Sequence, residues 1–583
     1  MSGLQFLQYF ERVLSSYLVY LVKCVLILQP TADCLKTNPL LLKTQQVINS
    51  TGNECFVSSN MKFIQGQNRE QTYLFPVSLD GAVEADNEVR FIDLFVGSLK
   101  LDEFGFQTIY TENGRPAYHP SDLLKLYIYG YLNRVRSSRQ LEKECKRNIE
   151  VMWLLKNLRP DHNTISNFRR DNPKAIKKVF RETVKIAKHF NLIGGTLIAG
   201  DSTKLRAQNS KKNNFNQKKI DRHLEYIENK LKEYNQALAQ NDGDSKEKIE
   251  KKIEKQNRRK QGYKQIEKQL KESGQPQVSS SDPDSRQMIV RNNITEVAYN
   301  TQTTVDAENN LLIDYKVTNT NDSKAMGTML RRAKTILRNN NFTALYNKGY
   351  HTGSEFDIAD KLGINTLVAI PSTAANSPNK AYNVENFKYS VELDYYICPQ
   401  GHRLTTNGRL HQAKTYLFKR YTTKECKTCP VKPECSKAVC GKAIQRSQYQ
   451  TLVDKNKKRI EKNENYYKRR QAIVEHPYGT IKRQWGFSYV STKKTIGRAS
   501  ADIGFMMTAY NLRRIINLIG LNQLMNWLQK TNSFLISSKN MLLKLRLSHL
   551  SFLFFNNINH LNILNYLENK LYLTKKLSTQ GGY

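Results

Sequence analysis

Acidic residues are in short supply: 52 Asp and Glu stand against 91 Lys and Arg over 583 residues, a formal charge of +39. A surplus on that scale points to a polyanionic partner, nucleic acid before an anionic membrane. Clean apolar runs are missing too. The stretch Phe6 to Leu28 is broken by Glu11, Arg12 and Lys23 before the ~18 apolar residues of a membrane span accumulate. The chain opens MSGLQFLQYF with no basic residue ahead of that run, so a secretory signal is not expected. The sequence reads as soluble, and a membrane-surface role would rest on residues 1–60 alone. No Gly-rich phosphate cradle and no Ser/His/Asp arrangement is present, which leaves ATP dependence without support. Cysteine is sparse outside one segment: of nine, five fall between Cys398 and Cys440. That distribution is unlike a secreted disulfide framework and suits a metal site in a reducing cytosol.

What is there suggests more than one domain. Met61 begins MKFIQGQNREQTYLFPVSLDG, which has the texture of a natural start, so residues 1–60 are expected to be an upstream extension or a mis-assigned start. From Ser121, SDLLKLYIYGYLNRVRSSRQLEKECKRNIEVMWLL carries apolar residues at helical spacing, interleaved with Arg134, Arg136, Arg139, Lys143, Lys146 and Arg147. These cations are expected to be a solvated face, a DNA-backbone contact, or both. At Gly194 the pattern changes: GGTLIAGDSTKLRA places a short apolar strand before Asp201, a carboxylate expected at the strand end. Ile220, Leu224, Ile227, Leu231, Tyr234 and Leu238 then recur at spacings of four and three, and Ile249, Ile253, Gln256 and Tyr263 continue the pattern beyond a turn expected at Asn241-Asp242-Gly243-Asp244-Ser245. The prediction is a charged helical hairpin with no chemistry of its own. Further strands are expected on both sides of a turn at Asn309-Asn310, in ALYNKGY up to Asn347 and between Leu362 and Ile370, with a late helix around Glu475. The ensemble is α/β.

Phosphodiester chemistry by two metal ions needs carboxylates converging from separate elements to hold Mg²⁺ or Mn²⁺ and activate a water or hydroxyl. Asp201 on a strand and Glu475 on a helix suit that task. Between Lys455 and Arg498 thirteen Lys or Arg meet three acids, so Glu475 is a lone carboxylate on a cationic surface. Each acid alone would more often be a surface charge. His476 is expected to be structural or DNA-contacting, because a two-metal mechanism requires no imidazole. Cys398, Cys426, Cys429 and Cys435 can form a tetrahedral thiolate site for Zn²⁺, with Cys440 spare or exchanging for Cys435.

The segments AYHPSDLLKLYIYGYLNRVRSSRQLE, IAGDSTKLRA, LYNKGYHTG and RRQAIVEHPYGTIKRQWG, in that order, resemble the DDE-type insertion-sequence transposases of bacteria over residues 61 to 520. The resemblance implies an α/β, RNase H-like core at 191–520, carrying a coiled-coil hairpin at 212–275 and a cysteine-bearing insertion at 376–453. A helical DNA-binding domain at 61–190 would precede it and a helical tail at 521–583 would follow. It also implies catalytic, Mg²⁺-binding positions at Asp201, Asn347 and Glu475, and DNA contacts from Lys482, Arg483, Arg470 and Tyr467, the last two one residue out of the family's register. Expected partners are double-stranded DNA at element ends and at the target, and a second copy of the chain on DNA; the expected location is the bacterial cytoplasm, at the nucleoid. The departure is Asn347, where the family has Asp. An amide oxygen brings no charge, so catalysis should be impaired, and a copy that only binds DNA is the alternative reading. Asp306, Asp314 and Asp322 are acids nearby in sequence, none at the matching strand end.

Overall fold

The computed structural model describes residues 78–108, 116–240, 244–291, 294–372, 377–492 and 494–533. Expectations for residues 1–60, for the turn at 241–243 and for the tail beyond 533 lie outside them. The described residues belong to one compact unit.

Besides the single helical turn Leu101–Phe104, six helices open the described chain: α1 (Glu88–Gly97), α2 (Pro120–Leu132), α3 (Ser138–Arg147), α4 (Ile149–Leu154), α5 (His162–Asp171) and α6 (Pro173–His189). Their ends are built locally. Asn87 caps α1 by accepting from the Val89 N–H, Asp161 caps α5 through Asn163 and Thr164, and Pro stands in the first turn of α2 and α6. On α6 the buried residues Ile176, Val179, Phe180, Thr183 and Ala187 recur at three and four, the stripe of a core-facing helix. It packs on the late helix α13 (Ile496–Ile519), itself buried along most of its length.

The core sheet contains β1 (Leu197–Arg206), β2 (Arg286–Arg291), β3 (Ile294–Asp306), β4 (Leu312–Thr318), β5 (Thr343–Tyr346) and β6 (Asn365–Val368). β3 lies antiparallel to β1 on one edge and pairs with β2 and then β4 on the other; β5 and β6 extend the far side of β1 in parallel. The β3–β4 turn falls at Asn309-Asn310 as expected, with Asn310 at φ +54°. β2 was not expected. Helices α9 (Met326–Leu337) and α10 (Gly353–Lys361) connect the parallel strands.

Between β1 and β2 the chain runs out and back through α7 (Gln217–Gln240) and α8 (Asp244–Ser273), closed at the base by Asn214–Phe215 pairing with Val278–Ser279. Phe215, Ile220, Leu270 and Val278 give this hairpin its own small core. Between β6 and α11 (Gln450–Lys462) lie two three-stranded sheets around Phe387, Tyr396, Leu404, Tyr421 and Ile444. Residues 521–533 are helical. Among the described residues no helix is long and apolar enough to cross a membrane.

Two expectations need correction. Asp201 is inside β1, not at its end, because β3 supplies pairing as far as Arg206 opposite Ala298 and carries the strand through the polar run Ser202–Lys204. Arg136 is neither solvated nor available to DNA. It is 6% exposed and bonds Asp502 Oδ2 at 2.8 Å, while Arg169 reaches Oδ1 at 3.2 Å and the Ser491 N–H donates to Oδ2 at 2.7 Å. Asp502 is thereby the buried tie between the opening helices and α13.

Candidate functional site

The sheet edge beside β5 brings Asp201 and Asn347 together. Asn347 follows β5 directly and caps the 3₁₀ turn Lys348–Tyr350, its Oδ1 accepting from the Gly349 N–H at 2.8 Å. With its carbonyl oxygen so engaged, the amide NH₂ faces Asp201 and donates to Oδ1 at 2.8 Å. The Ser202 N–H donates to the same oxygen at 2.8 Å. β1 and β5 approach closely here for a specific reason: a Cβ on Gly200 would sit 2.0 Å from the Tyr346 ring, so only glycine fits beside Asp201.

The other oxygen of Asp201 is taken from α12 (Glu464–Tyr478). Tyr467, Arg470, Val474 and Tyr478 recur at three and four and turn toward the sheet. Arg470 Nη1 bonds Asp201 Oδ2 at 3.0 Å, each side chain 16% exposed. Tyr467 donates to the Tyr346 carbonyl at 3.1 Å, and the Tyr478 hydroxyl meets Thr303 Oγ1 at 2.5 Å, opposite Asp201 in the register. Burial raises the Asp201 carboxyl above its ordinary value, outweighing Arg470 and the Ser202 N–H. Arg470 and Tyr467, expected on DNA, are thus engaged inside the protein.

Glu475 follows Val474 and lies about 100° round the helix from it. It is exposed, accepts from Gln471 Nε2 at 2.8 Å, and makes no ion pair among the described residues. Pro477 removes a backbone donor, and the helix widens after it into a π turn at Gly479–Gln484. From that turn Lys482 reaches back to β1, donating to Thr203 Oγ1 at 3.0 Å, while Arg483 is exposed. His476 Nδ1 shares a 2.8 Å hydrogen bond with the Tyr510 hydroxyl, a structural contact.

Of the three acids close in sequence, Asp306 accepts from the Gly194 and Gly195 N–H groups, and Asp314 is locked to Arg332. Asp322 was not singled out, yet it lies beside the site: its Oδ2 is 3.5 Å from where a Gly349 Cβ would be, and Asn347 Oδ1 is 3.0 Å from the same point. Asn300 and Gln302 each donate to Asp322 Oδ1 at 2.7 Å and Lys204 to Oδ2 at 3.1 Å. Burial opposes its ionisation, but Lys204 and those amides outweigh it and hold the carboxyl below its ordinary value. A sequence signal for it would have needed the β3 residues Asn300 and Gln302 to be recognised as its partners.

Cys398, Cys426, Cys429 and Cys435 line a single pocket, whereas Cys440 is exposed and does not. Gly441 (φ +84°) makes that possible, since a Cβ there would meet Cys426 Cβ at 2.2 Å. Burial raises the Cys435 thiol above its ordinary value. Among the described residues no group of three or more His, Cys, Asp or Glu side chains is arranged to hold a metal ion. The residues around Asp201 do not fit a pair of divalent ions in this arrangement: both its oxygens are occupied by donors, one of them a guanidinium, and Asn347 adds no charge.

Comparison with known families now bears on this geometry. Residues 77–171 match the family described as Transposase domain (DUF772), and residues 397–516 match the family described as Transposase DDE domain. The second match contains Glu475, Lys482 and the four pocket cysteines and stops short of Asp201 and Asn347. A solved structure, "Mos1 transposase paired-end complex with left transposon end", aligns with 51% of this chain and 80% of its own at 13% identity and a TM-score of 0.13, too loose a superposition to argue from. No curated protein matches. A transposase domain thus matches on either side of the core strands. Both segments are similar to transposases, the second to those of the DDE type.

Proposed function

We propose that this chain recognises double-stranded DNA at the ends of an insertion sequence and that its strand cleavage and transfer are impaired by Asn347. The sheet order, three antiparallel strands continued by two parallel ones, supports an RNase H-like core. Asp201, Asn347 and Glu475 stand at the three family positions. The single observation that carries the reading is the Asn347 amide donating to Asp201. An aspartate at 347 would instead set a second carboxylate against the first, a pair that calls for cations. The asparagine donates to Asp201 without one, and Arg470 supplies part of the positive charge. Losing one of three negative ligands weakens metal binding and transition-state stabilisation together, and each tenfold in rate corresponds to about 1.4 kcal/mol.

The affinity for DNA does not depend on that triad. Exposed Arg139, Lys143 and Arg483 offer phosphate contacts, and binding should fall steeply with salt as counterions are released. The test pairs two assays on end-containing DNA, retention at rising salt and cleavage with Mg²⁺ or Mn²⁺, for this chain and for Asn347→Asp. Equal binding with faster cleavage by the variant is expected; equal cleavage removes the argument.

The four cysteines suit a structural Zn²⁺. They ring one pocket in a segment whose core is only five side chains, too few to hold two small sheets unaided. Elemental analysis of protein purified without chelator should find zinc, lost on replacing Cys429 with Ser.

A further inference from the structure

A second recess opens at His476, the residue after Glu475. Its walls come from the end of α2 and Arg134 beyond it, from the π turn with Trp485, and from the last turns of α13 with Arg513 and Arg514. The charges are unbalanced. Arg513 is paired with Glu88 at 2.9 Å, but Arg514 spends only its Nε, on the Asn309 carbonyl at 2.9 Å. Neither Arg514 nor Arg134 has a carboxylate partner among the described residues, and no acid lines the recess. Trp485, half-buried and set edge-on to Phe487 at 5.7 Å, presents the large aromatic surface there.

Two uncompensated guanidiniums and an indole around one cleft are the chemistry that holds a phosphodiester and an adjoining base. We infer that this recess is a nucleotide subsite: Arg134 and Arg514 take a backbone phosphate of one DNA strand, and Trp485 takes the face of its base. The inference rests on the reading that the chain acts on DNA and assigns to it a place next to Glu475. π turns recur at functional sites, and here one carries the tryptophan into the cleft.

The experiment follows the emission of the full chain, which has three tryptophans, during titration with a 5′-phosphorylated single-stranded oligonucleotide, a deoxynucleoside monophosphate and inorganic phosphate. The oligonucleotide should quench emission, the quench should vanish in Trp485→Phe, and Arg134→Gln or Arg514→Gln should each weaken binding about tenfold. Circular dichroism of each variant must match the parent. The mononucleotide should compete better than phosphate; equal competition overturns the base contact. An unchanged titration in both arginine variants, with duplex binding intact, overturns the subsite and leaves the DNA reading standing. A parent chain that binds neither duplex nor oligonucleotide overturns both.

Discussion

Asp502 and Asp201 are both carboxylates withdrawn from water and paired with arginine, one in the tie between the opening helices and α13, the other in the centre of the sheet. For Asp502, burial is outweighed by Arg136 and Arg169, and its carboxyl is held below the ordinary value. For Asp201, burial outweighs the single Arg470 and the value is raised. Asp502 has a second guanidinium and the Tyr131 and Ser491 hydroxyls, whereas Asp201 also faces the like charge of Asp322. A carboxylate with two cations and a backbone N–H is a structural fixture, whereas one with a single cation and an amide is still short of positive charge. On the proposed reading a metal would meet that shortage, and here Arg470 and Asn347 partly fill it.

The comparison breaks most visibly at Asp502. Asp502→Asn leaves two arginines buried without a counter-charge and should cost about 3–5 kcal/mol in urea unfolding. A loss under ~1 kcal/mol would show that the tie is not structural. Next comes Asn347→Asp, expected to raise Mn²⁺-dependent cleavage of end DNA by about two orders of magnitude, or ~2.7 kcal/mol, with DNA affinity unchanged. The third effect is smaller and of opposite sign to the first. A raised carboxyl costs stability once pH climbs above its free value near 3.8 toward the folded one, while a lowered carboxyl adds stability above that value and loses it as pH falls. In chelator at neutral pH, Asp201→Asn should therefore stabilise by ~1 kcal/mol, an advantage that disappears in acid. Destabilisation at neutral pH would mean that Arg470 compensates Asp201 fully. Smallest is Arg483→Gln, expected to weaken DNA binding without regard to sequence and reduce the salt slope by about one.

Features set by near neighbours in the chain were legible in advance. The Asn309-Asn310 turn, the strand into Asp201, the paired helices and the helix of Glu475 all follow from patterns a few residues long. What could not be read depends on contacts far apart in sequence. Arg136 stands in a basic run that resembles a solvated face, and nothing local marks Asp502, 366 positions away, as its partner. Arg470 likewise lies in a run of cations, and its bond to Asp201 spans 269 positions. Asp322 was discounted because no strand ends at it, yet a 3₁₀ turn brings it beside Asn347. That Asp201 and Asn347 would be neighbours was visible in the motifs. That the second would act as a hydrogen-bond donor to the first was not.

The most direct measurement is a Mn²⁺ titration followed by electron paramagnetic resonance, without DNA, on this chain, on Asn347→Asp and on Asn347→Asp combined with Arg470→Gln. If Asn347 and Arg470 stand where cations would otherwise be held, affinity should rise stepwise across the three. Equal affinity in all three would contradict the account, because Asp201 would then hold its metal with asparagine and arginine in place.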